Sequence, residues 1–412
     1  MSIDRKSLHE LGEWMVGEML ADAPLKSVVP ELARRLTALG VPVDRCRLTW
    51  PTLHPLFEAE TLLWTTEFGV TSQRFDRERV DDTAWQQSTV KWMLENGSNL
   101  LRARLDGPTP NPTFPLYDEL RAEAFVDFVA LRTQLFADGS MLRQGSSDLD
   151  FGLYVAWATK DPAGFSDDAA ELLEHIQRYV AMVCKSLALP RLIFGVANTY
   201  LGPTIAREVL GGRITLGSGS QVRALIWYSD LRDSTALAES MGSEPYLALL
   251  NDYFDSTGRA VVEAGGEILA FIGDAVMAIF PISEAAFSES QASLLGMQAA
   301  DAALEVAEHV NARRITKGQP PIHFGIAMCV GEVRLGNIGI RQRLSFSVIG
   351  PSANEVERME KMTKTLRVRV LATEEIARAA PQRWQAMGPV PLRGFRDSVP
   401  LFALVPERTT PS

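Results

Sequence analysis

The stretch Glu267-Ile268-Leu269-Ala270-Phe271-Ile272-Gly273-Asp274-Ala275-Val276-Met277-Ala278-Ile279-Phe280 decides how the second half of this chain folds. Two apolar runs, rich in β-branched and aromatic residues, are separated only by Gly273-Asp274, the kind of dipeptide that closes a two-residue hairpin. Upstream, residues 222–228 read as a buried strand. Ser243 then offers an N-cap for a helix that presents Leu247, Leu250, Phe254, Val261 and Val262 and stops at Gly265-Gly266. Downstream come a long helix over 288–315, strands over 322–330 and 344–349, and a helix over 352–364 that starts after Pro351.

The order β-α-β-β-α-β is the split, ferredoxin-like arrangement, an α+β fold that hosts many chemistries. Its connectivity sets the hairpin beside the first strand, which closes in Trp227-Tyr228-Ser229-Asp230-Leu231-Arg232-Asp233-Ser234-Thr235. Asp230 and Asp274 then converge at one sheet edge, and paired hard oxygens suit Mg²⁺ or Mn²⁺. The bland alternative makes Asp274 a turn former and Asp230 a helix cap. Backbone amides from Leu231 to Thr235, at a helix start, would face phosphates. Asn354 and Arg358 lie four apart on one helical face; alone such a pair is usually just solvated.

The chain has 412 residues, enough for two or three domains, and its 46% hydrophobic and 22% charged composition is that of a globular protein. A net charge of -10 disfavours nucleic acid and anionic lipid as partners. Cys46, Cys184 and Cys329 are widely spaced, with no CxxC pair, which argues against a disulfide framework or structural zinc and fits a cytoplasmic location. The start Met1-Ser2-Ile3-Asp4 lacks a signal-peptide run, and the apolar stretch over 268–282 carries Asp274, so no membrane span is expected.

Residues 1–190 mix helical and strand patterns. Leu8, Leu11, Trp14, Met15 and Met19 recur at helical steps; short strands are expected over 47–50, 61–66, 125–131 and 151–159, and a helix over 167–187 with Ser166 as N-cap. This order resembles a GAF- or PAS-like sensor domain. Pro190 predicts a break, and a short helix over 196–210 leads through Gly211-Gly212 to the second domain as a connector over 191–221. His54 and Cys46 could suggest haem or a chromophore, yet such isolated residues are usually packed or exposed. The tryptophans concentrated in this half, such as Trp50, Trp64 and Trp157, suit an apolar ligand pocket or a core equally.

Residues 222–406 resemble the class III nucleotidyl cyclases, the adenylate and guanylate cyclases. The resemblance is carried by Ser229-Asp230-Leu231-Arg232, Gly273-Asp274 with Met277-Ala278-Ile279-Phe280, Gly331-Glu332-Val333 to Gly336-Asn337-Ile338-Gly339, and Val348-Ile349-Gly350-Pro351-Ser352-Ala353-Asn354 leading to Arg358. Asn198-Thr199-Tyr200-Leu201-Gly202 also looks like the transducing element that precedes such domains. The resemblance implies two Mg²⁺ or Mn²⁺ ions per site on Asp230 and Asp274, with Asn354 orienting the ribose and Arg358 acting on the transition state. It implies a head-to-tail homodimer with shared sites, in which the 3′-hydroxyl of a nucleoside triphosphate attacks its own α-phosphorus and pyrophosphate leaves.

Departures from the family pattern bear on the substrate. A base-reading lysine is replaced by Ala270, which cannot donate to adenine; the second base-reading position holds Ser347, which can donate or accept. The usual Gly-Phe-Thr is Asp233-Ser234-Thr235, where Asp233 is either a helix cap or a carboxylate that weakens triphosphate binding. Arg393, in Leu392-Arg393-Gly394-Phe395-Arg396, stands where a phosphate-binding lysine is usual. Gly265-Gly266-Glu267 looks superficially like the diguanylate cyclase signature but precedes the strand and is set aside. The expected activity is ATP to cyclic AMP, regulated through the first domain by an unidentified signal. Cyclic GMP or a pyrimidine cyclic nucleotide, or a degenerate nucleotide-binding or dimerisation module, are the alternatives.

Overall fold

The structure, a computed structural model, describes residues 5–52, 56–76, 83–135 and 152–405. The chain divides into two compact units, Met1–Thr199 and Tyr200–Ser412. His54 lies outside the described residues, as does Phe151 at the start of one expected strand.

The first unit runs α1 (Arg5–Leu20), α2 (Leu25–Ala38), β1 (Arg45–Pro51), β2 (Phe57–Thr65), β3 (Gly69–Asp76), α3 (Thr83–Gln86), α4 (Thr89–Glu95), β4 (Leu100–Arg104), α5 (Pro115–Ala122), β5 (Asp127–Gln134), β6 (Gly152–Thr159) and α6 (Asp167–Leu201). Among the described residues its strands form one antiparallel sheet in the order β3-β2-β1-β6-β5-β4. Alternation along β1 and β6 sends Cys46, Leu48 and Trp50 with Val155 and Trp157 to one face, where α1, α2 and α6 cover them. The opposite face carries Phe128, Ala130, Tyr154 and Ala158 against Met93 of α4 and Tyr117 and Leu120 of α5. Both Cys46 and Trp157 are fully buried within this core.

Sequence periodicity finds β1, β2, β5 and β6 but misses α2, α3, α4, α5, β3 and β4. β3 is almost wholly polar and exposed and so lacks the alternation that betrays a half-buried strand. Ser166 caps α6 as expected, its hydroxyl accepting from Ala169 N at 3.2 Å. The expected break at Pro190 does not occur: α6 runs on to Leu201. Pro190 is exposed, where water can satisfy the carbonyl that the missing N–H leaves free. At 35 residues with a mean hydropathy of 1.7 in its most apolar window, α6 is long and apolar enough to cross a membrane by length and composition, which corrects the expectation that no segment is. Its first half, from Ala169 to Cys184, is buried in the core of the first unit.

The second unit begins with α7 (Pro203–Leu210) and continues with β7 (Gly219–Leu231), α8 (Ser234–Met241), α9 (Ser243–Glu263), β8 (Glu267–Ile272), β9 (Ala275–Pro281), α10 (Glu289–Thr316), β10 (Phe324–Ile340), β11 (Arg343–Ile349), α11 (Pro351–Leu366), β12 (Val370–Thr373), α12 (Glu374–Ala377), β13 (Trp384–Val390) and β14 (Val399–Leu404). β7 lies at the centre, antiparallel to β9 on one side and β10 on the other, with β8 outside β9. This is the order that the split arrangement requires. α9 and α10 cover one face and α11 the other. Burying Trp227 completely in the first of these cores stabilises the unit by about 2–3 kcal/mol.

One expected cap is corrected. Gly242, at φ 76°, precedes α9, and Ser243 is its first helical residue. The buried stripe of α9 is Leu249, Tyr253 and Val261, while Leu247 and Val262 are exposed. α10 carries the cap that α9 lacks: Ser288 Oγ accepts from Gln291 N at 3.3 Å, and the Gln291 side chain returns the bond.

Candidate active site

Asp230 ends β7 and is registered opposite Ala275, so Asp274 in the hairpin turn stands beside it. The turn is tied to β7 by Leu231 N donating to Asp274 O at 3.3 Å. Beneath Asp230, the buried Ser229 Oγ shares a 3.0 Å hydrogen bond with Tyr253 Oη, which fixes the strand end from the α9 side. Asp230 Oδ1 is buried without a partner. Burial, and then the negative charge of Asp274, push the Asp230 carboxyl up to about 6. An orphaned carboxylate oxygen, half-buried against a second carboxylate, is a donor set that a divalent cation completes; Asp230 and Asp274 fit such an ion. Among the described residues no group of three or more His, Cys, Asp or Glu side chains forms a larger candidate set.

A third acid belongs to this corner, and sequence reasoning missed it. Glu360 of α11 is 5% exposed and packs over Gly325, which is registered opposite Asp230; a Cβ on Gly325 would meet Glu360 Oε1 at 2.2 Å. Burial, then Asp230, raise its carboxyl to about 7, and Thr363 Oγ1 donates to it at 3.2 Å. The available signal was a charged residue at a buried position of the helix, beside Met359 and one turn before Thr363.

The loop after Asp230 differs from the expectation. Leu231 N is committed to Asp274 and Arg232 N donates to His323 O at 2.8 Å, so these two amides belong to the framework. The Leu231 side chain is buried in the core. The Arg232 guanidinium turns to the end of α11, donating to Thr363 Oγ1 at 3.2 Å and Val368 O at 2.8 Å. The amides of Asp233, Ser234 and Thr235 lie at the start of α8, where the first turn has no intrahelical acceptors. Asp233 makes no side-chain cap. It sits at φ 57°, the left-handed region, which explains why glycine is usual there and why aspartate is tolerated.

Asn354 is exposed in the first turn of α11, and the half-buried Arg358 lies one turn on. The Arg358 guanidinium rests over the Phe395 ring at 5.2 Å and against Gly394, where a Cβ would lie 3.1 Å from Nη1. Arg393, exposed, immediately precedes Gly394 in the loop on which Arg358 rests. Among the described residues no hydrogen bond or ion pair joins Asn354 or Arg358 to Asp230 or Asp274. Ala270 and Ser347 are both half-buried, on β8 and β11, two strands that approach one another.

Other motif residues are structural. A Cβ on Gly331 would meet Ser352 Oγ at 2.1 Å, and one on Gly219 would meet Leu335 O at 2.3 Å. Asn337, 5% exposed, donates to Arg213 O at 2.7 Å and Ser218 Oγ at 3.0 Å, pinning the residues before β7 to β10. Glu267 accepts from Thr204 N and Oγ1, both at 2.6 Å, and so holds the first turn of α7 to β8, the strand of Ala270.

Residues 219–405 match the family model of the adenylate and guanylate cyclase catalytic domain. The second unit is a catalytic domain of that family. An adenylate cyclase of Anabaena cylindrica is 33% identical over 165 residues, covering 40% of this chain and 32% of that protein. An uncharacterized protein of Mycobacterium tuberculosis is 28% identical over 248 residues, 59% of this chain and 42% of the relative. The chain therefore spans less than half the length of these curated relatives. Among solved structures, the adenylyl cyclase CyaB from P. aeruginosa aligns over 47% of this chain and 100% of its own, with 20% identity and a TM-score of 0.40. Within the matched residues, Asp230 lies near the end of β7, Asp274 in the hairpin turn, Asn354 and Arg358 on α11, and Arg393 in the loop after β13.

Proposed function

We propose that the chain is an adenylate cyclase, converting ATP to 3′,5′-cyclic AMP and pyrophosphate in sites shared between two copies, under control of its first unit. The observation that carries this reading is the carboxylate pair Asp230 and Asp274, held together with an unpartnered buried oxygen. A divalent ion held there would supply Lewis acidity at the ribose hydroxyl and neutralise phosphate charge.

The chain's own residues divide the remaining work. Asn354 would orient the ribose by hydrogen bonding, and Arg358 would face the charge that builds on the α-phosphate oxygens. Arg393 would hold the terminal phosphates with its forked donors. Arg358 is turned to its own Phe395 loop, and it has no bond to its own aspartates, which supports a site completed by a second copy. Exposed apolar side chains support the same reading: Phe271 and Ile272 on β8, Leu247 on α9, and Ile338 and Ile340 on β10 need a cover. The first unit, a sheet with helices on both faces, would act as a GAF- or PAS-like sensor in the cytoplasm. Its signal would reach Ala270 and Asp274 through α7, which Glu267 fastens to β8.

Ala270 favours a second reading within the class, because it offers no donor to adenine: the substrate would then be GTP or a pyrimidine triphosphate. The deciding experiment incubates dimeric, folded protein with Mn²⁺ and each of the four ribonucleoside triphosphates and separates cyclic products by chromatography. Cyclic AMP as the dominant product supports the proposal; another cyclic nucleotide selects the second reading, and none at all would leave a non-catalytic nucleotide-binding module.

A further inference from the structure

Arg45 and Arg47 stand two residues apart on β1 and therefore project from the same face of the first unit's sheet. The register defines that face. Arg45 is opposite Ala158 on β6 and Arg47 opposite Ala156, with Thr49 next along β1, sharing a 2.9 Å hydrogen bond with Thr61 of β2. It is the face opposite to the one that α1, α2 and α6 cover. Over β4 and β5 it is packed by apolar side chains of α4 and α5; around β1 it carries Arg45, Arg47 and Thr49, flanked by Ala158, Ala156 and Tyr154 of β6 and by Leu63 and Thr61 of β2.

Arg45 is only 7% exposed, and its Nη1 is buried with no hydrogen-bond partner. Among the described residues neither Arg45 nor Arg47 makes an ion pair. Glu119, near the end of α5, acts on both through space, as Glu123 does on Arg45, and burial makes both guanidiniums less basic than usual. The same sheet shows what structural arginines look like. Arg102 pairs with Asp127 at 3.4 Å and Asp167 at 3.1 Å, and Arg104 with Asp106 at 2.6 Å and the carbonyls of Pro162 and Ala163, both at 2.7 Å.

A guanidinium does not discharge at physiological pH, so an unpaired one cannot escape burial by losing its proton. Placing a like charge two residues away adds to the cost, and packing alone would be better served by an apolar side chain. Among the described residues no group fills this role, and one that matches the guanidinium fork with two oxygens would.

We propose that Arg45 and Arg47 form a binding site for a small oxyanion ligand, a carboxylate or a phosphate monoester, on this face of the first unit, with the Thr49 and Thr61 hydroxyls beside it. The site is independent of the cyclase site, and the inference stands or falls without it.

The test uses the full-length protein and follows its thermal unfolding with inorganic phosphate or succinate, each against sodium chloride at matched ionic strength. One or both anions should raise the unfolding temperature of the wild type at millimolar concentration. The same shift should persist in Arg393→Ala, which removes the phosphate ligand of the cyclase site, and should be lost in Arg45→Met. Arg45→Met should itself unfold no lower than the anion-free wild type, because it removes an unpaired buried charge. Should that variant fail to fold, Arg47→Gln, at a more accessible position, should weaken anion binding at least tenfold by titration calorimetry. A response to phosphate alone assigns a phosphate-type ligand, and one to succinate alone a carboxylate. No shift with either anion, or a shift unchanged in Arg45→Met or Arg47→Gln, would overturn the proposal.

Discussion

Lys364 Nζ donates to Asp233 Oδ1 at 2.9 Å, linking the last turn of α11 to the loop that follows Asp230. The two side chains are 70% and 69% exposed, so solvent screens the pair and it adds little stability. Its consequence is local: Lys364 holds the Asp233 carboxyl below the usual range, so the carboxylate stays ionised, as an ion pair, in the loop proposed to face the phosphates.

Replacing that charge should therefore improve substrate binding. Asp233→Gly removes the carboxylate and suits the φ of 57° that the position demands. Initial-rate kinetics should show KM for the metal–triphosphate falling about two- to fivefold, with kcat little changed, and the difference shrinking at high salt. An unchanged KM would mean that the phosphates bind away from this loop.

The separation of Arg358 from Asp230 and Asp274 within one chain predicts complementation. Asp274→Ala and Arg358→Ala should each be nearly inactive. An equimolar mixture that exchanges subunits should recover roughly a quarter of wild-type activity, since half of the dimers are mixed and each carries one intact site. Verified heterodimers without activity would place the whole site in one chain.

The acids around Asp230 predict a pH dependence of stability. Asp230 is raised to about 6 and Glu360 to about 7, so folding favours their protonated forms. Both groups bind protons more tightly folded than unfolded, and metal-free protein should lose stability as pH climbs from about 4 to about 7. A divalent ion offsets the same charges. Thermal unfolding should thus show a larger Mn²⁺ stabilisation at pH 7.5 than at pH 5, and Asp274→Asn should abolish it. Glu360→Gln should raise the unfolding temperature of metal-free protein above pH 7, an effect absent at pH 5.

Base choice can be moved at β8. Ala270 is half-buried on the strand, so a longer side chain has room to extend toward the surface. Ala270→Lys should raise kcat/KM for ATP over GTP by about tenfold, the worth of one charged hydrogen bond. Competition assays with both triphosphates provide the check; unchanged selectivity would remove this residue from the base site.

Much of the cyclase fold was legible because its signals are local. A Gly-Asp step between two apolar runs is the kind that closes a hairpin, and Gly265-Gly266 ends its helix through backbone conformation. The meeting of Asp230 with Asp274 followed from that topology. The first unit was less legible, since β3 is exposed and polar and Pro190 lies inside a helix whose surroundings tolerate it.

The sequence by itself determined which acids, amide and guanidinium the cyclase domain carries, and the order of strands that could bring Asp230 to Asp274. Periodicity and turn chemistry act over a few residues, so they report such things directly. Tertiary structure alone decided the rest: that Glu360 is buried beside Asp230, that Leu231 and Arg232 spend their amides on the framework, and that Arg45 is buried without a partner. Burial and pairing depend on residues far apart along the chain, such as Gly325 with Glu360, and their cost appears only once those residues have met.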